Sequence, residues 1–315
     1  MNDSLFFAPS YKSDDSVSQT SVEKVTGHAS RQVLDQLAIE EPLEIQLTYG
    51  PSNSRQTKSI SITMRTPGND FDLAAGFLMT EGVIQNVSEI EQITYAVHPF
   101  SEPAQFPLFL DAAKPGSKQN IVRVELATHV TVSLASLQRN FYTTSSCGIC
   151  GKASLLSLRT VCPPRATNNF GVDAQMLYSL PNRLRSSQGV FDRTGGLHGA
   201  GLFDSTGSLL ALREDVGRHN AVDKLIGSEF LADRTPLRER VLLLSGRASF
   251  ELLQKALMGG IPMVAAVGAP SSLAVQVARE FDITLVGFLR EDHFNIYHGG
   301  EKITGYTSTA TGDRE

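Results

Sequence analysis

Ser145-Ser146-Cys147-Gly148-Ile149-Cys150-Gly151-Lys152 places two thiols three positions apart with a glycine after each. Glycine at these points lets the backbone turn tightly. The following KASLLSLRTV is helical by composition, so the cysteines are expected in the loop where that helix begins. Free N–H groups and the helix dipole favour an anion there. A thiol ordinarily titrates near ~8.5, and such a position lowers that value. Lys152 adds a positive charge. These are the conditions for a thiolate that attacks or carries sulfur. Other uses of the pair stay open: half of a zinc site, a thioredoxin-like redox pair, or inert packing. A second ligand pair at zinc spacing is missing, so no structural metal is expected. A redox pair would follow a first strand, with an aromatic where Ser146 stands. Cys162 has no partner cysteine nearby and is followed by two prolines; it is expected to pack.

Three further constellations could do chemistry. Gly195-Gly196-Leu197-His198-Gly199-Ala200 brings paired glycines before a histidine, which allows close approach to a ligand or another loop. A structural role for His198 is the plain alternative. Arg213-Glu214-Asp215-Val216-Gly217-Arg218-His219-Asn220-Ala221-Val222-Asp223-Lys224 crosses from a strand end into a helix, where α/β domains place their sites. Asp215 could orient His219 or pair with Arg218, and Arg218 could fork onto a phosphate. The competing reading is a buried ion-pair network that braces the loop. Third, Ser245-Gly246-Arg247-Ala248-Ser249, Gly268-Ala269-Pro270-Ser271-Ser272 and Phe288-Leu289-Arg290-Glu291-Asp292-His293 each follow a short apolar run. Three such strand ends side by side describe a pocket along the carboxyl edge of a sheet.

The elements that must position these groups are legible in outline. VLLLSGR, PMVAAVGA and ITLVGFLR alternate with the helical SFELLQKALMGG and SSLAVQVAREFD. That alternation means parallel strands buried on both faces. LHGAGLFD and SLLALRE read as a hairpin across Ser205-Thr206-Gly207, and HNAVDKLIGSEFL as the helix after it. EPLEIQLTYG and KSISITMRT alternate as another hairpin, with Ile60, Ile62 and Met64 on one face. DFDLAAGFLMTEGVI has helical spacing with Gly82 near its stop, and NIVRVELA is a strand. The fold class is therefore α/β, α+β overall: a C-terminal three-layer α/β sandwich with a mixed sheet, and a smaller β-rich N-terminal domain. The expected divisions are a mobile polar arm over 1–38, the β-rich domain over 39–165 ending in the cysteine loop and helix, the α/β domain over 166–308, and a tail over 309–315 without fixed structure. Pro99, Pro103, Pro107 and Pro115 mark a surface insertion within the first half.

Composition excludes several classes. The chain has 315 residues, is 41% hydrophobic, and carries a net charge of -5. That is ample core material, and the acidic balance argues against broad nucleic-acid binding while allowing a local basic pocket. Three cysteines clustered in one stretch do not resemble a secreted disulfide framework. No run approaches the ~20 apolar residues of a membrane span, and the N-terminus does not read as a signal peptide. A cytoplasmic location is expected.

SSCGICGK, GGLHGAGLF, REDVGRHNAVDK, SGRASFELLQKA, and ITLVGFLR with FNIYHGGEKI together resemble the FdhD family of formate dehydrogenase accessory sulfurtransferases, in order and spacing. EEPLEIQL and SITMRTPGNDFDLAAGFLMTEGVI resemble the N-terminal part of that family, so the likeness runs from about residue 38 to 305. The resemblance implies a cytidine deaminase-like fold for the C-terminal domain and a homodimer. It implies a protein that accepts persulfide sulfur from a cysteine desulfurase and delivers it to molybdenum bis(molybdopterin guanine dinucleotide) for formate dehydrogenase. Cys147 matches the persulfide carrier, and Cys150 the residue that assists transfer or resolves the persulfide. Phe288, Leu289, Arg290, Glu291, Asp292 and His293 match the cofactor-binding segment. His198, Arg218, His219 and Arg247 are added from the residues alone as pocket candidates. The long N-terminal arm, the proline-rich insertion and the glycine after His198 depart from the family pattern. Two rivals remain: a zinc-dependent deaminase-like hydrolase, and a cofactor chaperone without sulfur chemistry. The first needs His-x-Glu before Pro-Cys-x-x-Cys. Here the cysteines precede the histidine, Ser146 stands before Cys147, and Gly199-Ala200 follows His198.

Overall fold

The computed structural model describes residues 16–96, 120–132, 158, 162 and 169–307. Part of the expected arm has regular structure. Strands β1 (Val17–Thr26) and β2 (Ala29–Ala38) pair antiparallel without interruption from Val17↔Ala38 to Thr26↔Ala29. The turn holds only Gly27 and His28, and Gly27 takes φ 62, the left-handed first position that glycine fills in two-residue hairpins. The hairpin is tied down at its base. Ile39 N donates to Ser16 O, Ser16 Oγ donates to Pro67 O, and Arg193 Nε donates to Gln36 Oε1.

Strands β3 (Glu41–Tyr49) and β4 (Gln56–Arg65) form the expected hairpin. β6 (Ile121–Leu126) lies parallel to β3 and antiparallel to β5 (Ile90–Tyr95), giving the order β4-β3-β6-β5. The expected common face of Ile60, Ile62 and Met64 does not form. Ile45 pairs with Ser61 and Gln46 with Ser59, so Ile60 is the extra residue of a bulge. Ile60 is buried, whereas Ile62 is 70% exposed and Met64 47% exposed. One inserted residue exchanges the two faces of everything after it. Thr63 and Arg65 thereby turn inward, where each finds a polar partner.

Helix α1 (Asp70–Thr80) ends just before Gly82, whose φ of 71 suits glycine. Phe71, Ala74, Ala75 and Leu78 are buried as the spacing predicts, but Leu73, Gly76 and Met79 are buried too. A helix apolar all round is covered on all sides. Its second cover comes from the C-terminal half.

That half is a six-stranded mixed sheet of β8 (His198–Phe203), β9 (Leu209–Asp215), β10 (Val241–Leu244), β11 (Met263–Ala266), β12 (Thr284–Gly287) and β13 (Asn295–His298), in the order β13-β12-β11-β10-β8-β9. The three apolar runs form the parallel strands β10, β11 and β12, as expected, and the other three run antiparallel to their neighbours. Helix α2 (Ala174–Ser187) lies on one face, packing Leu177, Leu180 and Leu184 on Val241, Leu243, Met263 and Val286. Helices α4 (Arg218–Leu231), α5 (Phe250–Met258) and α6 (Ser272–Glu280) belong to the core on the other face. The short α3 (Gly189–Thr194) lies between α2 and β8, and β14 (Ile303–Thr304) pairs with β7 (Val172–Asp173).

One core runs through both halves, from Leu43, Ile45 and Val124 through Ala74 and Leu78 to Val222, Leu242 and Leu285. Helices α1 and α4 meet at two glycines. A methyl group on Gly76 would sit 1.9 Å from Asp223 O, and one on Gly227 would sit 1.8 Å from Asp72 O. Only glycine permits backbones to approach this closely.

Candidate functional site

Cys147, Cys150 and Lys152 lie outside the described residues; the other candidates can be placed. The charged block after β9 divides in two. Its inner members form the brace that was the competing reading. Asp215 is wholly buried and pairs with the equally buried Lys224 at 2.6 Å. Asp215 also accepts from Thr66 N at 3.2 Å, Gly217 N at 2.8 Å and Asn220 Nδ2 at 3.1 Å. Lys224 Nζ donates to Thr66 O at 2.8 Å, and Asn220 Nδ2 to Met64 O at 2.8 Å. Asp223 meets Lys255 at 2.9 Å and accepts from Thr80 Oγ1 at 2.8 Å. Asp215 therefore holds Lys224, not Arg218 or His219, and the block fastens α4 to the turn after β4.

The outer members, Arg218 and His219, stay partly exposed at the start of α4. Arg218 and Arg247 make no hydrogen bond or ion pair among the described residues. His198 is brought to the same edge because β8 runs antiparallel to β10, and it pairs across the hairpin with Asp215. A methyl group on Gly246 would lie 3.4 Å from His198 Nδ1, so the imidazole sits against the end of β10. Partial withdrawal from solvent, then the Arg218 guanidinium, hold the His198 imidazole below its ordinary 6.5; Asp215 opposes them.

Sequence reading missed one member of this group, Glu251. Its Oε2 lies 3.9 Å from His219 Nε2, an electrostatic contact beyond hydrogen-bond reach. His219 beside it is the main cause that brings the Glu251 carboxyl down to about 2. An acid in the first turn of a helix was the available signal. His219 Nε2 and Ser249 Oγ are buried atoms without a hydrogen-bond partner among the described residues. The N-cap residues of α4 and α5, Gly217 and Ser249, make no side-chain cap bond, whereas Ser271 caps α6 and Asp173 caps α2. Uncapped N–H groups and unpaired cations are the donors an oxyanion needs.

The strand ends are stitched together along this edge. Gly199 N donates to Ser245 Oγ at 2.8 Å, Gly268 N to Gly246 O at 2.9 Å, and Phe288 N to Gly268 O at 3.1 Å. The segment after β12 continues the rim. Phe288 is 40% exposed and held at φ 52, a backbone region uncommon for a bulky residue. Leu289 is wholly buried in the core under α2, so its side chain faces no solvent. Arg290 donates to Val267 O at 2.6 Å and Leu289 O at 2.9 Å. Glu291, Asp292 and His293 are exposed, with His293 Nδ1 2.7 Å from Asp292 Oδ1.

A mixed sheet covered by helices on both faces, with basic side chains at the carboxyl ends of its parallel strands, is an α/β arrangement with a candidate site at its strand ends. Residues 38–304 match the FdhD/NarQ family, and the chain belongs to that family. A protein named sulfur carrier protein FdhD in Streptomyces coelicolor is 50% identical over 272 residues, 85% of this chain and 89% of that protein. The protein of that name in Mycobacterium tuberculosis is 48% identical over 269 residues, 85% of this chain and 91% of its own. The one in Sulfolobus acidocaldarius is 39% identical over 269 residues, with the same two coverages of 85% and 91%. Among solved structures, one described as a formate dehydrogenase accessory protein of Desulfotalea psychrophila shares the fold. Its TM-score is 0.65 at 22% identity, covering 91% of this chain and 99% of that one. No helix among the described residues is long and apolar enough to cross a membrane.

Proposed function

We propose that this protein is a cytoplasmic sulfurtransferase that carries sulfur as a persulfide on Cys147. A cysteine desulfurase supplies the sulfur, and the acceptor is molybdenum bis(molybdopterin guanine dinucleotide) destined for formate dehydrogenase. The observation that carries this reading is the extent of the likeness to proteins named sulfur carriers, which spans 85% of the chain at 50% identity. In the loading step the Cys147 thiolate attacks the outer sulfur of the donor persulfide. The donor S–S bond breaks, a new S–S bond forms on Cys147, and the donor leaves as a thiolate. Cys150 assists the onward transfer or resolves the persulfide. The molybdenum cofactor is the substrate. Its phosphates would meet Arg218, Arg247, His198 and the free N–H groups of α4 and α5, and its guanine end the segment from Phe288 to His293. The protein acts as a homodimer on this reading.

The test is intact-protein mass after incubation with a cysteine desulfurase and cysteine. One added sulfur, absent from Cys147→Ala, is expected. No gain, or the same gain in Cys147→Ala, overturns the assignment. A GDP titration tests the second half: affinity should fall when Arg247 and Arg290 are both replaced by alanine, and an unchanged affinity would misplace the pocket.

A further inference from the structure

The β1–β2 ribbon is a sheet of two strands, and no other strand among the described residues pairs with either outer edge. Each strand has ten residues, so at ~3.4 Å per residue the ribbon is roughly 30 Å long. A ribbon of two strands is marginal in water by itself. Exposed edges are ordinarily blunted by a proline or a bulge. Residues 17–38 hold no proline, and the pairing has no bulge. Apolar side chains stand open as well: Leu34 is 75% exposed and Val25 66%.

One face of the ribbon meets the body at its base. Gln36 accepts from Arg193 of α3, and a methyl group on Gly196 would lie 3.7 Å from Ala38 Cβ. By alternation Ala29, Arg31, Val33, Asp35 and Leu37 line the opposite face of β2, away from α3. Lys24 and Arg31 stand directly across from each other on that face, and neither forms an ion pair among the described residues. Like charges so placed are destabilising. Asp35 is the one carboxylate on this face, but it lies four positions from Arg31, ~14 Å by the strand rise. The charges of the ribbon, Glu23, Lys24, Arg31 and Asp35, cancel, although the whole chain carries -5. A partner of opposite charge is therefore not required.

A second copy supplies the missing neighbour. When two β2 edges pair antiparallel about a two-fold axis at Val33, Arg31 faces Asp35 of the other copy twice, and Ala29 faces Leu37 twice. Val33 faces Val33, and since Val22 is already opposite Val33, four valines form a row across a four-stranded sheet. The neighbouring registers fail. Centring on Arg31 or Asp35 sets like charges together, and centring on Gln32 or Leu34 sets both charges against apolar residues. The β1 edge has no equivalent, because Glu23 and Lys24 lie on opposite faces.

We infer that the outer edge of β2 is the pairing surface for a second copy of this chain, in the register centred on Val33. The inference rests on the homodimer of the function proposed above and adds where the copies meet. Sedimentation equilibrium of the full-length protein at low salt tests it, on wild type, Arg31→Asp and Asp35→Arg. Both positions are exposed, so their replacement spares the core. Each single variant should dimerise about tenfold more weakly or worse, because it sets two like-charged pairs across the axis. An equimolar mixture of the two variants should dimerise as wild type, since every like pair becomes an opposite pair. The chain carrying both replacements should do the same. Single variants that dimerise as wild type, or a mixture that does not recover, overturn the inference. A monomeric wild type overturns it together with the homodimer and leaves the sulfur chemistry standing. Intact dimers in both single variants, with less sulfur loaded by the desulfurase, would assign the ribbon to the donor enzyme and overturn it equally. Wild type that takes up no sulfur, with the charge-swap recovery seen, sinks the sulfur-carrier reading and supports the ribbon.

Discussion

Replacing Lys224 by methionine removes one charge from the most deeply buried ion pair of the brace. Asp215 and Lys224 are 0% and 1% exposed and 2.6 Å apart. In Lys224→Met the Asp215 carboxylate stays buried, with Thr66 N, Gly217 N and Asn220 Nδ2 as its remaining donors. Breaking such a pair on one side costs about 3–5 kcal/mol. Three surviving hydrogen bonds place this case near the lower figure, at about 3 kcal/mol, a large share of the ~5–15 kcal/mol that keeps a domain folded. Thr66 O also loses its Nζ donor. The double variant Asp215→Asn with Lys224→Met removes both charges; the one remaining oxygen can still accept from Gly217 N and Asn220 Nδ2, while Thr66 N loses its acceptor. This double variant should recover most of the loss, ending within roughly 1–2 kcal/mol of wild type. Equilibrium urea denaturation of the four proteins measures the coupling directly. A loss under about 1 kcal/mol in Lys224→Met, or a double variant whose loss is the sum of the singles, would falsify the account of a buried, mutually neutralising pair.

Three other outcomes are expected. Gly227→Ala should destabilise by about 3 kcal/mol or more in thermal or urea unfolding, despite the ~1 kcal/mol gain in helix propensity, because the new methyl would meet Asp72 O at 1.8 Å; a stabilised variant would contradict the close crossing. His198 should titrate below 6.5 by NMR, and Arg218→Ala should move it upward. The unfolded chain takes up that proton first, so its contribution to stability falls as pH drops from about 6.5 toward the lower folded value; an unmoved titration in Arg218→Ala would remove the guanidinium as a cause. Cys147→Ala should fail to support formate dehydrogenase activity in cells while showing wild-type circular dichroism, and full activity would sink the persulfide assignment.

The parallel strands were readable because each is a continuous apolar run between helical segments, a pattern that only a doubly covered sheet explains. The bulge at Ile60 was not, since KSISITMRT alternates without a break and only the pairing with Ile45 and Gln46 reveals the extra residue. The β1–β2 hairpin was hidden by polarity. Its strands face water on both sides, so no alternation marks them, and the one usable signal was the two-residue Gly27-His28 turn. In the charged block, the sequence offered site and brace as competing readings. The structure assigns Asp215, Asn220, Asp223 and Lys224 to the brace and leaves Arg218 and His219 at the rim. Nothing local distinguishes the two sets, because the deciding partners, Thr66 and Thr80, lie more than 140 positions away.

The same separation has a consequence for synthesis. Thr66 waits for Lys224, 158 residues later, and Thr63 for Asn220, 157 residues later. At ~5–20 residues per second, a ribosome needs roughly 8–30 s to deliver α4 after the turn that receives it. Throughout that interval the inner faces of β4 and α1 stand open, with Gly76 and the Arg65–Asp70 pair uncovered by the second half. Nascent chains arrested before residue 231 should therefore be chaperone clients and sensitive to protease, and those carrying α4 beyond the exit tunnel should be the first to resist.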